Sequence, residues 1–236
     1  MRLPVAILAG GLATRLRPLT ERIPKALVAV AGRPFVEHQL ALLKRNGYTR
    51  VVFCLGYLGS MVEAALGNGR AWGMDFQYVF DGGRLLGTGG ALRKALPLLD
   101  RQFLVLYGDS YLDCHYGDIE NAFFLCGKPG LMTVFKNMNC WDSSNVLFID
   151  GRIVRYDKTR PTSDMQHIDY GLGVLQSDVL EQYPAGARLD LAAVYQDLVA
   201  RGQLAGYEVT QRFYEIGSPG GLEETERYLL AKKGQI

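Results

Sequence analysis

The chain has 236 residues, 48% of them hydrophobic and 21% charged, with a formal net charge of +2. A core can be buried at this length without staples, and the near-even charge argues against a protein that coats nucleic acid. The four cysteines (Cys54, Cys114, Cys126 and Cys140) show no CxxC spacing, so neither a zinc cluster nor a disulfide framework is expected.

The apolar run at 3–9 ends in Gly10-Gly11 and reads as a strand buried on both faces, as in a parallel sheet. It is too short for a signal peptide or a membrane span, and no later run reaches spanning length, so the cytosol is the expected compartment. A helix is predicted over 34–46, with Val36, Leu40 and Leu43 on one face and Gly47 as its stop. Strand 48–56, helix 60–69 and strand 74–80 follow. A glycine-rich loop at 81–90 leads into a helix at 91–99, and the buried strand 102–109 ends on an aspartate.

After about residue 115 the pattern changes to strands with little helix between them, at 130–136, 144–150, 151–158 and 168–176. Asp150-Gly151 signals a hairpin turn. An amphipathic helix is predicted over 189–202, an extended segment over 207–217, and a closing helix over 218–234 with Ser218 as N-cap and Pro219 at its first position. The whole is read as one domain, 1–236, of α/β class. Its sheet is Rossmann-like, mixed but mainly parallel, flanked by helices and extended by antiparallel strands in the second half.

The stretch 8–35 concentrates charge. It holds Gly10-Gly11, Arg15, Arg17, Arg22 and Lys25, with Glu21 as its single acid. Adjacent glycines let backbone N–H groups face an anion with no Cβ in the way; a guanidinium fork matches phosphate oxygens, and a lysine adds a compact mobile charge. The Walker spacing fails, because the position five after either glycine is Arg15 or Leu16, and the GxGxxG spacing fails too. A basic surface loop without a ligand is the competing reading of these residues taken alone.

The order of residues in LAGGLATRLRPLTERIPKALVAVAGRPF goes further. It resembles the N-terminal signature of the sugar-phosphate nucleotidyltransferases, with Ala13 and Ala29 standing where that family usually has glycine and proline. LLGTGGAL at 85–92 is similar to the family's nucleobase-side loop, and LVLYGDS at 104–110 to its metal-holding strand end. RYDKTRP at 155–161 is similar to the segment carrying a lysine for the sugar phosphate. IDYGLGVL at 168–175 stands where many members have Asn-Ala-Gly, and FYEIGSPGGL at 213–222 resembles a motif whose metal-binding aspartate is here Glu215.

The resemblance implies a nucleotidyltransferase (GT-A-like) fold and a reaction in which an NTP and a sugar 1-phosphate give an NDP-sugar and pyrophosphate. It assigns Arg15 and Lys25 to catalysis, and Leu8, Gly10, Gly11, Gly87 and Thr88 to the nucleotide. It assigns Lys158, Asp169 and Gly171 to the acceptor, and Asp109 and Glu215 to Mg²⁺. The short form resembles heptose and mannose 1-phosphate guanylyltransferases and N-acetylmuramate 1-phosphate uridylyltransferases. The implied partners are the two substrates, with no nucleic acid or membrane, in a monomer or small homo-oligomer. Two other readings stay open: a metal-dependent glycosyltransferase of similar fold, although Asp109 and Asp113 lack Asp-x-Asp spacing, and a phosphocholine cytidylyltransferase.

Overall fold

A computed structural model describes residues 2–233. In chain order the elements are β1 (Val5–Ala9), β2 (Ala29–Val30), β3 (Arg33–Pro34), α1 (Phe35–Arg45), β4 (Arg50–Leu55), α2 (Gly59–Leu66), β5 (Asp75–Phe80), α3 (Gly87–Ala95) and β6 (Gln102–Tyr107). Then come β7 (Ser110–Tyr111), α4 (Tyr116–Cys126), β8 (Gly130–Lys136), β9 (Val146–Ile149), β10 (Arg152–Tyr156), β11 (His167–Gln176), α5 (Ser177–Glu181), α6 (Leu191–Ala200), β12 (Leu204–Val209), β13 (Tyr214–Glu215) and α7 (Pro219–Lys233).

The main sheet runs β10-β9-β11-β6-β1-β4-β5, with β8 joined to β11 and β12. β1 pairs parallel with both β4 and β6, and β4 parallel with β5, while β11 is antiparallel to β6, β8 and β9. The chain therefore winds outward from β1 in one direction, returns, and winds outward in the other. That makes the carboxyl ends of β1 and β6 a topological switch point, where open α/β sheets form their ligand crevice. The register puts Leu8 opposite Tyr107, so the loops carrying Gly10-Gly11 and Asp109 leave the sheet side by side.

Alternation along β1 sends Val5 and Ile7 into one apolar layer, with Leu40, Phe53 and Leu104, and Ala6 into the other, with Val52, Phe103 and Leu175. Both faces of the central strands are thus buried, as continuous apolar runs require. A third, smaller cluster joins Val30, Phe35, Tyr111, Ile216 and Leu229, and ties the β2–β3 hairpin to α7.

The structure departs from the sequence reading in three places. The second half is not nearly helix-free: α4 and α5 lie within it. α4 buries Tyr116, Ile119 and Phe123, yet it exposes Phe124 and Leu125, and that outward apolar pair blurs the helical period. The helix placed at 91–99 starts at Gly87, on glycines that propensity rejects, and a 3-10 turn takes over at Leu96. The extended segment placed at 207–217 is two strands, β12 and β13, of which only β12 belongs to the main sheet. The expected turn at Asp150-Gly151 does connect β9 to β10, with both residues at positive φ. The expected last residue of the closing helix, Gly234, lies outside the described residues.

Candidate active site

A cleft of about 360 Å³ opens at the switch point. Leu8, Gly10, Gly11 and Lys25 line it from the first loop, Asp81, Leu85, Gly87 and Thr88 from the second, and Tyr107, Gly108 and Asp109 from the end of β6. Lys158 and Asp190 close the far wall.

The glycines are positional. A Cβ at Gly10 would lie 3.1 Å from Gly56 N, and one at Gly108 would lie 2.6 Å from Leu8 O, so the three strand ends approach closer than side chains allow. Ala13 takes the left-handed conformation (φ 49°) where the related family usually has glycine, and its carbonyl accepts from Thr20 Oγ1 at 2.7 Å.

Lys25 Nζ donates to Asp109 Oδ2 at 3.0 Å, joining the basic loop to the end of β6. Asp109 is held in place from behind. Gln39 on α1, buried, donates from Nε2 to Tyr107 O (2.9 Å) and Ser110 O (2.8 Å), one carbonyl on each side of Gly108-Asp109. Ile216 N donates to Asp109 O at 2.9 Å, and β13 pairs with β7 so that Glu215 faces Ser110. Backbone pairing thus brings the two expected metal acids next to each other.

The carboxylate of Glu215 is nonetheless engaged within its own loop. It accepts from Gly217 N and from Ser218 Oγ (2.9 Å), and Gly221 leaves the space it fills. Ser218 is the N-cap of α7, accepting from Gly221 N at 3.1 Å, so Glu215 also lies where the positive end of the helix dipole favours an acid. Arg15 is exposed, makes no ion pair among the described residues, and puts Nη2 beside Gly217 rather than in the cleft wall. Among the described residues no group of three or more His, Cys, Asp and Glu side chains is placed to hold a metal. A lone carboxylate of this kind fits an ion such as Mg²⁺ that arrives on a triphosphate: Asp109 could offer it one oxygen, and such an ion keeps water and substrate oxygens for the rest.

Across the cleft, Lys158 Nζ lies 3.2 Å from Asp169 Oδ2 and 3.2 Å from Tyr107 Oη, and 4.7 Å from the Tyr107 ring centroid. Asp169 also accepts from Tyr107 Oη (2.7 Å), Tyr156 Oη (3.0 Å) and Gly171 N (3.1 Å). Burial, followed by the neighbouring carboxylate of Asp169, pushes both tyrosine hydroxyls well above their ordinary pKa, so they stay protonated donors. β11 bulges here: Asp169 pairs with Val134 but Gly173 with Met132. Gly171, at φ 93°, carries the bulge, and a Cβ on it would lie 3.1 Å from the Tyr107 ring.

Gly87 and Thr88 do line the cleft, but both are also structural. Gly87 has φ 74° and no room for a Cβ against Leu189 O. The Thr88 hydroxyl donates to Asp190 Oδ1 (3.1 Å) and accepts from Leu191 N (2.8 Å), capping α6. Sequence reasoning missed Gln39, Tyr107, Tyr156 and Asp190. Tyr107 and Tyr156 flank motif residues; Gln39 carries no sequence signal, because its partners are backbone carbonyls.

The profile of the nucleotidyl transferase family matches residues 5–136. The N-acetylmuramate alpha-1-phosphate uridylyltransferase of Neisseria meningitidis serogroup B is 30% identical over 93% of this chain and 95% of its own length. The UTP–glucose-1-phosphate uridylyltransferase of Synechocystis is 28% identical, and this chain spans 63% of it. Among solved structures, a putative glucose-1-phosphate thymidylyltransferase from Bacillus anthracis superposes with a TM-score of 0.85 over 96% of this chain and 95% of the other, at 20% identity.

The chain belongs to the nucleotidyl transferase family, as one of its short sugar-phosphate members. It is an enzyme that transfers a nucleoside monophosphate from an NTP to a sugar 1-phosphate.

Proposed function

We propose that the NTP lies with its phosphates along Gly10-Gly11 and Lys25, its base toward Asp81, Leu85 and Gly87, and the sugar 1-phosphate against Lys158. The observation that supports this reading is the Lys25–Asp109 contact at 3.0 Å in the same cleft as Lys158: two cations and one acid share one cleft, the charge set that a meeting of two polyanions needs.

The nucleophile is an oxygen of the acceptor phosphate. It is already ionised, so no general base is needed. Catalysis is positioning and charge stabilisation: an in-line approach to the α-phosphate and support for charge as it moves onto the leaving pyrophosphate. Lys25 reaches the α-phosphate and the incoming acceptor phosphate. The Gly10 and Gly11 amides donate to phosphate oxygens, and Arg15, at the rim, closes on the β- and γ-phosphates. Mg²⁺, when bound, neutralises the triphosphate. Asp109 would hold it, and Glu215 would join only by giving up Gly217 N and Ser218 Oγ.

Among the described residues no helix is long and apolar enough to cross a membrane. We place the enzyme in the cytosol, where NTPs are made, without nucleic-acid or membrane partners and as a monomer or small homo-oligomer. Both curated relatives named above are uridylyltransferases, which puts UTP first among the nucleotides to test and GTP second. The test is a matrix of the common NTPs against glucose, mannose, heptose and N-acetylmuramate 1-phosphates, with and without Mg²⁺, read by pyrophosphate release. Metal-dependent release with at least one pair is expected; silence across the matrix contradicts the reading.

A further inference from the structure

The resemblance assigns Asp169 to the acceptor, where its carboxylate would receive sugar hydroxyls. Its surroundings leave no place for one. The side chain is only 3% exposed, and four donors already converge on it. Oδ2 takes Tyr107 Oη, Tyr156 Oη and Lys158 Nζ, and Oδ1 takes Gly171 N. Its own amide is fixed by Asn145 Oδ1 at 2.9 Å. Lys158 is the opposite case, 39% exposed and lining the cleft. Two of its three N–H donors face Asp169 and Tyr107, and the third is left for the cleft.

We infer that Asp169 is a positioning residue that acts through Lys158, with Tyr107 and Tyr156 fixing the carboxylate, and that it does not touch the acceptor's sugar ring. The inference rests on the proposed reading that Lys158 binds the acceptor phosphate. A lysine side chain is a long flexible stem, and confining it beforehand reduces the ordering cost of the phosphate contact. Asparagine in its place would still accept from both tyrosines. It would present no charge to the ammonium, so the confinement is particular to the aspartate.

The probe is methyl phosphate, a phosphate monoester with no ring hydroxyls, titrated by ³¹P NMR. Asp169→Asn should weaken methyl phosphate binding and raise the acceptor KM by the same factor, roughly tenfold, while kcat and the NTP KM stay within about twofold. Tyr156→Phe leaves the charge in place and should shift both quantities the same way by less. In a Lys158→Ala background, Asp169→Asn should change methyl phosphate binding no further.

If the acceptor KM rises while methyl phosphate binding is unchanged, Asp169 reads the sugar and the inference is wrong. A uniform loss in all parameters, in both Asp169→Asn and Tyr156→Phe, assigns a purely structural role and also overturns it. Should the wild-type enzyme release no pyrophosphate with any substrate pair, the proposed reaction fails, yet the methyl phosphate titration still decides the Asp169–Lys158 coupling.

Discussion

Lys25 and Asp109, 84 residues apart in sequence, meet at 3.0 Å between Nζ and Oδ2. Neither side chain is fully buried, so the pair contributes about 0–1 kcal/mol to stability. Its consequence lies in the chemistry. Lys25→Ala should lower kcat by roughly 10²–10³-fold, the usual effect of removing one group that stabilises transition-state charge. Thermal melting should stay nearly unchanged. Steady-state kinetics and calorimetry on the same preparation check both halves.

Gln39 is a different kind of residue, because it works from inside. Its amide holds the carbonyls of Tyr107 and Ser110, and so sets the path of the backbone through Asp109. Gln39→Leu keeps the volume and leaves two carbonyls without that donor. The expected cost is about 1–3 kcal/mol in urea unfolding. Turnover should fall as well, although the side chain never meets a substrate.

Glu215 offers a way to separate folding from metal chemistry. Its carboxylate serves Gly217 N, Ser218 Oγ and the start of α7. Glu215→Ala should therefore cost about 1–3 kcal/mol, because Gly217 N and Ser218 Oγ lose a charged acceptor. Gly221→Ala should cost more, since a methyl group there displaces the carboxylate and also meets the Glu215 carbonyl oxygen at 2.7 Å. Asp109→Asn should instead abolish metal-dependent turnover with little change in stability. If Glu215→Ala also raises the Mg²⁺ concentration needed for half-maximal rate, the carboxylate turns toward the metal during the cycle.

The fold was legible where period and punctuation agreed. The run at 3–9 before Gly10-Gly11 showed a buried strand, and Asp150-Gly151 a hairpin. α4 was not legible, because Phe124 and Leu125 are apolar yet face outward. For the site, the motif residues Lys25, Asp109 and Lys158 line one cleft. What sequence could not show is commitment. Thr88 caps α6 from 103 residues away, and Glu215 is taken up by Gly217 N and Ser218 Oγ within its own loop; residue type and spacing announce neither contact.

Asp157 precedes Lys158 and folds the turn that carries it. The Thr159 hydroxyl, with the Arg160 and Thr159 amides, holds its carboxyl down at about 2, below the ordinary 3.8. A carboxyl depressed by folding adds stability that is complete above the unfolded value and drains away as pH falls between about 4 and 2. Asp157→Asn should flatten acid unfolding across that window, and its acceptor KM should rise because the turn bearing Lys158 loosens. Unfolding followed by circular dichroism from pH 5 to pH 2 provides the check.

The central claim, attack by an acceptor phosphate oxygen on the α-phosphate of the NTP, can be read from one isotope experiment. A sugar 1-phosphate carrying ¹⁸O at all four phosphate oxygens is turned over with an NTP, and the products are resolved by ³¹P NMR and mass spectrometry. The account predicts that every label stays on the β-phosphorus of the NDP-sugar, one of them bridging to the α-phosphorus, with unlabelled pyrophosphate released. Label in the pyrophosphate, or loss of the labelled oxygen between sugar and phosphorus, would contradict it.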